Sequence, residues 1–92
     1  MDTIIVTRRI LELLKQMKVN GFVTRRTQKI FSSIQFYSVI WRFRDLGLVK
    51  EVGQYNGNKK WALTDKGEEF FYLTKRLFEI MEEDNERKGS SA

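Results

Sequence analysis

Ser33-Ile34-Gln35-Phe36-Tyr37-Ser38-Val39-Ile40-Trp41-Arg42-Phe43-Arg44-Asp45-Leu46 is followed directly by Gly47. Placed on a helix at about 100° per residue, this stretch puts Phe36, Val39, Ile40, Phe43 and Leu46 on one face. Tyr37, Ser38, Trp41 and Asp45 face the other way, with Gln35, Arg42 and Arg44 on the flanks. The apolar face is what a core needs. The opposite face mixes hydrogen-bonding groups, aromatics and arginine, as a helix lying in a DNA groove does. Gly47 is a natural helix stop, because it takes positive φ without a Cβ penalty.

Upstream of that stretch, Asp2 or Thr3 can cap a first helix of about 16 residues. Val6, Ile10, Leu13, Leu14 and Met17 form its apolar stripe, with Ile4 and Leu11 on a second patch beside it. Asn20-Gly21 ends this helix as a turn. Phe22-Val23 reads as a short extended piece. Thr24 then suits an N-cap, opening a short helix from Arg25 to about Phe31. Ser32-Ser33 makes the turn into the helix of 33–46, with Ser33 as its cap. Two helices joined by so short a turn form a helix-turn-helix.

Downstream, Leu48 to Val52 alternates as a strand and Lys59 to Leu63 returns as its partner. Between them Asn56-Gly57 is a two-residue hairpin signal, since both central positions of a type I′ turn need positive φ. Thr64 caps a last helix running to about Glu86, with Glu68 and Glu69 in its opening turns, where the helix dipole favours negative charge. On its wheel Phe70, Leu77 and Met81 are central, Phe71 and Phe78 flank one side, and Leu73 and Ile80 the other. This apolar arc spans about 180°. Residues 87–92 read as a frayed tail.

The 92-residue chain has neither cysteine nor histidine, so disulfides, thiolate chemistry and the commonest general base are absent. No carboxylate, Ser, Thr or Lys cluster replaces them, which argues against an enzyme, a metal site or a cofactor. No apolar run approaches a membrane span and no signal peptide is evident, so a cytoplasmic location is expected. Residues 1–66 hold 13 Lys and Arg against 5 Asp and Glu, and residues 67–92 hold 4 against 7, giving +8 and −3. A basic body with an acidic end fits a polyanion-binding domain joined to a segment that stays off the polyanion. A solvated charged surface is the plainer alternative.

Phe43-Arg44-Asp45-Leu46-Gly47-Leu48-Val49-Lys50, a short hairpin, and then Trp61-Ala62-Leu63-Thr64-Asp65-Lys66-Gly67 resemble winged helix-turn-helix transcription regulators of the MarR-like and PadR-like kind. Those proteins commonly leave the recognition helix through Leu-Gly-Leu-Val and enter the next helix through Leu-Thr-x-x-Gly. The resemblance covers roughly residues 5 to 75. The chain is shorter than a typical MarR-like protein and looks more like the minimal winged-helix proteins of archaea and their viruses. It implies an α+β fold: a three-helix core, a two- to three-stranded wing hairpin, and a long C-terminal dimerisation helix. It also implies three segments: residues 1–63 as the DNA-binding domain, 64–86 as the dimerisation helix and 87–92 as the tail.

On this basis a homodimer occupying double-stranded DNA is expected, with helix 33–46 in the major groove and the wing, 53–60, on the flanking backbone or minor groove. Gln35 would read adenine and Arg42 guanine or a phosphate. Ser33, Tyr37 and Ser38 suit phosphate oxygens or base edges. Trp41, if exposed, would press on thymine methyls or sugars, and otherwise would tuck against the wing or another helix. Arg25 and Arg26, at a helix N-terminus, would anchor phosphate. Asn58, Lys59 and Lys60 would meet the flanking backbone. The dimer interface would draw on Ile4, Leu11, Phe70, Phe71, Leu73, Leu77, Phe78, Ile80 and Met81, unless the last helix folds back and buries both flanks within one chain. A nonspecific architectural protein and a winged helix used for protein contact are the competing functions.

Overall fold

The computed structural model describes residues 7–90, with side chains over 7–82. The chain is α+β: α1 (Arg8–Asn20), α2 (Ser33–Asp45), β1 (Val49–Tyr55), β2 (Asn58–Leu63) and α3 (Asp65–Ser90). No helix among the described residues is long and apolar enough to cross a membrane.

Helix α1 begins later than the sequence predicts. Its N-cap is Thr7, whose hydroxyl accepts from the Ile10 N–H at 3.3 Å. The expected caps Asp2 and Thr3, together with Ile4 and Val6, lie outside the described residues. The stripe itself holds: Ile10, Leu13, Leu14 and Met17 are buried. Gly21 closes the helix at φ 86°, donating to the Met17 carbonyl.

The short helix expected over 25–31 does not form. Thr24 does cap a turn, its hydroxyl accepting from the Arg26 and Thr27 N–H groups. The Gln28 N–H then reaches the Thr24 carbonyl at 3.4 Å, but the chain goes no further as a helix. The reason is the buried Gln28 side chain. Its amide nitrogen donates to the carbonyls of Arg25 and Phe31, and its oxygen accepts from the N–H groups of Ile30 and Phe31. One side chain therefore satisfies four backbone groups that a helix would otherwise have to pair.

Helix α2 is capped one residue earlier than expected, by Ser32. The Ser32 hydroxyl accepts from the Gln35 N–H while Gln35 Oε1 accepts from the Ser32 N–H, a reciprocal capping box. Phe36, Ile40 and Phe43 are buried, and Val39 is half-buried. Leu46, expected on the inner face, is exposed, because the helix has already ended there.

Strands β1 and β2 pair antiparallel from Val49↔Leu63 to Tyr55↔Asn58, with a register irregularity between Glu51 and Gln54. Asn56 and Gly57 take φ of 51° and 80°, as a type I′ turn requires. Val23 adds a single bridge to Trp61, with both backbone hydrogen bonds at 2.8 Å. The sheet is thus two strands and one bridge. Trp61 is buried at the junction of hairpin and helices.

Thr64 caps α3, its hydroxyl accepting from the Gly67 N–H at 3.0 Å. The helix continues to Ser90, past the end expected near Glu86. It packs antiparallel to α1: Lys18, late in α1, pairs with Glu68 at 2.9 Å, and Arg8, early in α1, pairs with Glu82. The hydrogen bond to Glu68 holds the Lys18 ammonium above the usual lysine pKa. Such exposed pairs, screened by solvent, contribute little to stability. Burial of Phe71 contributes about 1.5–3 kcal/mol, so apolar packing rather than charge docks α3.

Candidate nucleic-acid interface

With its inner face in the core, α2 exposes its opposite side. Ile34, Ser38, Trp41, Arg42 and Asp45 are all exposed, Ile34 at 85%. One flank of the helix looks toward the hairpin. There Tyr37, Trp41 and Arg44 line a cleft of about 390 Å³ together with Glu51, Gln54, Asn58 and Lys59, floored by Trp61. Gln35 and Arg42 belong to the other flank by their helical angle.

The start of α2 and the preceding turn bring basic groups together. Arg25 Nη1 donates to the Ser33 hydroxyl at 3.4 Å, joining the loop to the helix. Arg26 is exposed beside it. No helix begins at Arg25, however, and the Arg26 and Thr27 N–H groups are already bonded to Thr24. The expectation of a helix N-terminus presenting backbone donors to phosphate is therefore corrected: only the arginine side chains remain for that role.

Other expected contacts are partly engaged within the chain. Gln35 spends its amide oxygen on the cap, and a bidentate adenine contact would need that same oxygen to accept from the base. Lys59 stands 3.6 Å from Glu51. Lys60 lies on the other face of the hairpin, its ammonium 4.6 Å from the centre of the Phe22 ring. The two lysines thus point to opposite sides, as adjacent strand residues must. Trp41 is half-exposed at 52% and stacks obliquely with Tyr37, ring centroids 5.7 Å apart and planes 32° apart. It stands exposed on the side of α2 that borders the hairpin. Tyr37 is half-buried and also meets the Phe36 ring edge-on.

The sequence reading missed Ile34, Arg44 and Gln54. Ile34 and Arg44 were legible on the helical wheel, at the outer face and the hairpin-side flank. Gln54 was not, because its side depends on the irregularity at Gly53, whose φ is 122°.

The described residues expected at a dimer contact divide by burial into three groups. Phe71 is 5% exposed in the chain's own core, so it is removed from that set. Phe70 is half-buried, edge-on to Phe43, and Leu11 and Phe78 are half-buried, lining the groove between α1 and α3, where Arg8 covers Phe78. Leu73, Leu77, Ile80 and Met81 are exposed along α3, Leu73 at 65%. Ile4 lies outside the described residues.

Around the exposed side of α2 the charged groups are Arg25, Arg26, Arg42, Arg44 and Lys59 against Asp45 and Glu51, with Lys60 on the far face of the hairpin. Among the described acids of α3, Glu68 and Glu82 are paired with α1 and Glu79 with Arg76 of its own helix. In comparison with known proteins, no family model, no curated protein and no solved structure matches the chain.

Proposed function

We propose that this chain is a winged helix-turn-helix protein that binds double-stranded DNA as a homodimer and regulates transcription. Helix α2 enters the major groove, and the β1–β2 hairpin serves as the wing on the flanking backbone. The observation that carries this reading is the exposed side of α2, an apolar-backed helix ringed by five basic side chains and two acidic ones. Ser38 and Arg42 face base edges, and Ile34 supplies an apolar contact for thymine methyls. Arg25, Arg26, Ser33, Asn58 and Lys59 hold the phosphate backbone. The second copy docks on Leu73, Leu77 and Ile80, whose spacing follows one seam of a helix pair. Two copies then present their α2 helices to half-sites about 34 Å apart.

A nonspecific, architectural role is the second reading, favoured by one observation: Gln35, the natural adenine reader, is committed to the cap of its own helix.

Alanine substitution separates the roles. On a duplex selected from a random pool, Arg42→Ala is expected to cost about 1–3 kcal/mol and relax preference at one base position. Arg26→Ala is expected to weaken all duplexes alike and lower the salt slope by about one. If Arg42→Ala also weakens every duplex equally, the architectural reading stands instead.

A further inference from the structure

The cleft between α2 and the hairpin shares Asn58 and Lys59 with the proposed duplex contacts but adds an aromatic surface that duplex binding does not use. Tyr37 and Trp41, one helical turn apart, form its aromatic wall, and Trp61, only 3% exposed, its floor. Half of the Trp41 surface remains open to solvent although the ring stands beside the hairpin. The rim carries Gln54, a side-chain amide that both donates and accepts hydrogen bonds, as the edge of a nucleobase does, and Asn58, whose amide nitrogen donates to the Asn56 carbonyl at 3.2 Å and whose oxygen is an acceptor. Arg44 and Lys59 flank the mouth, each on an exposed acid, Arg44 3.4 Å from Asp45 and Lys59 3.6 Å from Glu51. The volume, about 390 Å³, lies within the range of small-molecule clefts.

We infer that this cleft is a stacking site for an unpaired nucleobase, so that the protein also binds single-stranded or locally melted DNA. The base lies against Trp41, its edge meets Gln54 or Asn58, and the adjoining phosphate meets Lys59 or Arg44. Stacking of this kind tolerates any base, because each has a π face. The inference rests on the nucleic-acid reading of this side of the molecule, but not on its duplex geometry.

The test uses the full chain and three labelled probes: an oligothymidine of about 12 nucleotides, an abasic oligomer of equal length and charge, and a duplex. The oligothymidine is expected to bind about tenfold more tightly than the abasic oligomer and to quench Trp41 fluorescence. Trp41→Ala should abolish that tenfold margin, Trp41→Phe should restore most of it, and far-ultraviolet circular dichroism checks that both variants fold. Equal binding of oligothymidine and abasic oligomer to the wild type overturns the proposal, because charge alone would then account for it. A margin that survives Trp41→Ala overturns it too. Failure of the wild type to bind duplex while the oligothymidine margin persists contradicts the duplex reading and leaves the cleft assignment supported.

Discussion

Gly67 lies directly against the backbone of Leu48: a Cβ at residue 67 would come within 1.9 Å of the Leu48 carbonyl oxygen. The same carbonyl accepts from the Thr64 N–H at 3.0 Å, and Lys66 reaches the Leu46 carbonyl at 2.8 Å. The Leu46-Gly47-Leu48-Val49 exit from α2 and the Leu63-Thr64-Asp65-Lys66-Gly67 entry to α3 are therefore two halves of one joint. Gly67→Ala should destabilise the fold by about 1–3 kcal/mol despite alanine's better helix propensity, because backbone must move. Thermal denaturation reads this as a fall of roughly 4–8 °C per kcal/mol for a domain of this size.

Gln28 is the second fixed point. Truncating it strands four backbone groups in the 25–31 segment. Gln28→Ala should cost about 2–4 kcal/mol, since each backbone group left unpaired in this part-buried segment carries its own desolvation penalty. Hydrogen exchange should show the effect first at the Ile30 and Phe31 amides, the two that donate to Gln28 Oε1. Unchanged protection at both would remove Gln28 from this role.

These two residues also mark how far the sequence could be read. The periodic elements were legible: the α1 stripe from Ile10 to Met17, the Phe36, Ile40 and Phe43 face of α2 and the Asn56-Gly57 turn stand where their patterns put them, whereas Leu46 leaves that face because the helix ends before it. Thr64 was legible too, as a cap, because capping is local chemistry. The 25–31 segment was not, because Thr24 offered a cap and nothing local showed that Gln28 would turn inward and replace the helix ladder. Burial of a polar side chain is decided by the tertiary fold, which a helical wheel does not contain. The same holds for α3. Its apolar arc was plain, but its division into Phe71, facing the core, and Leu73, facing out, follows from where α1 docks. On the candidate DNA side, Arg42 and Ser38 could be placed by angle alone. The engagement of Gln35 with Ser32, and of Lys60 with Phe22, needed the neighbours.

The exposed seam on α3 makes a separate prediction. Leu77→Glu with Ile80→Glu should convert a dimer to a monomer in sedimentation equilibrium, with little change in monomer fold, because both side chains are already exposed. A wild-type protein that sediments as a monomer at high micromolar concentration would contradict the dimer.

Charge at the α2 entrance gives a fourth. Arg25→Ala with Arg26→Ala should lower the slope of log affinity against log salt by about 2 on duplex DNA, since each phosphate neutralised accounts for roughly 0.9 of that slope. Because Arg25 also donates to Ser33, the double variant should bind slightly more weakly than the removal of two independent phosphate anchors would make it.

The most direct test of the proposed function is fluorescence anisotropy across a salt series with two duplexes, one from the DNA upstream of the chain's own gene and one scrambled. Salt-dependent binding that favours the upstream duplex by about a thousandfold or more is the predicted result. Equal affinity for both would contradict sequence-specific regulation, and no binding to either at low salt would contradict DNA binding altogether.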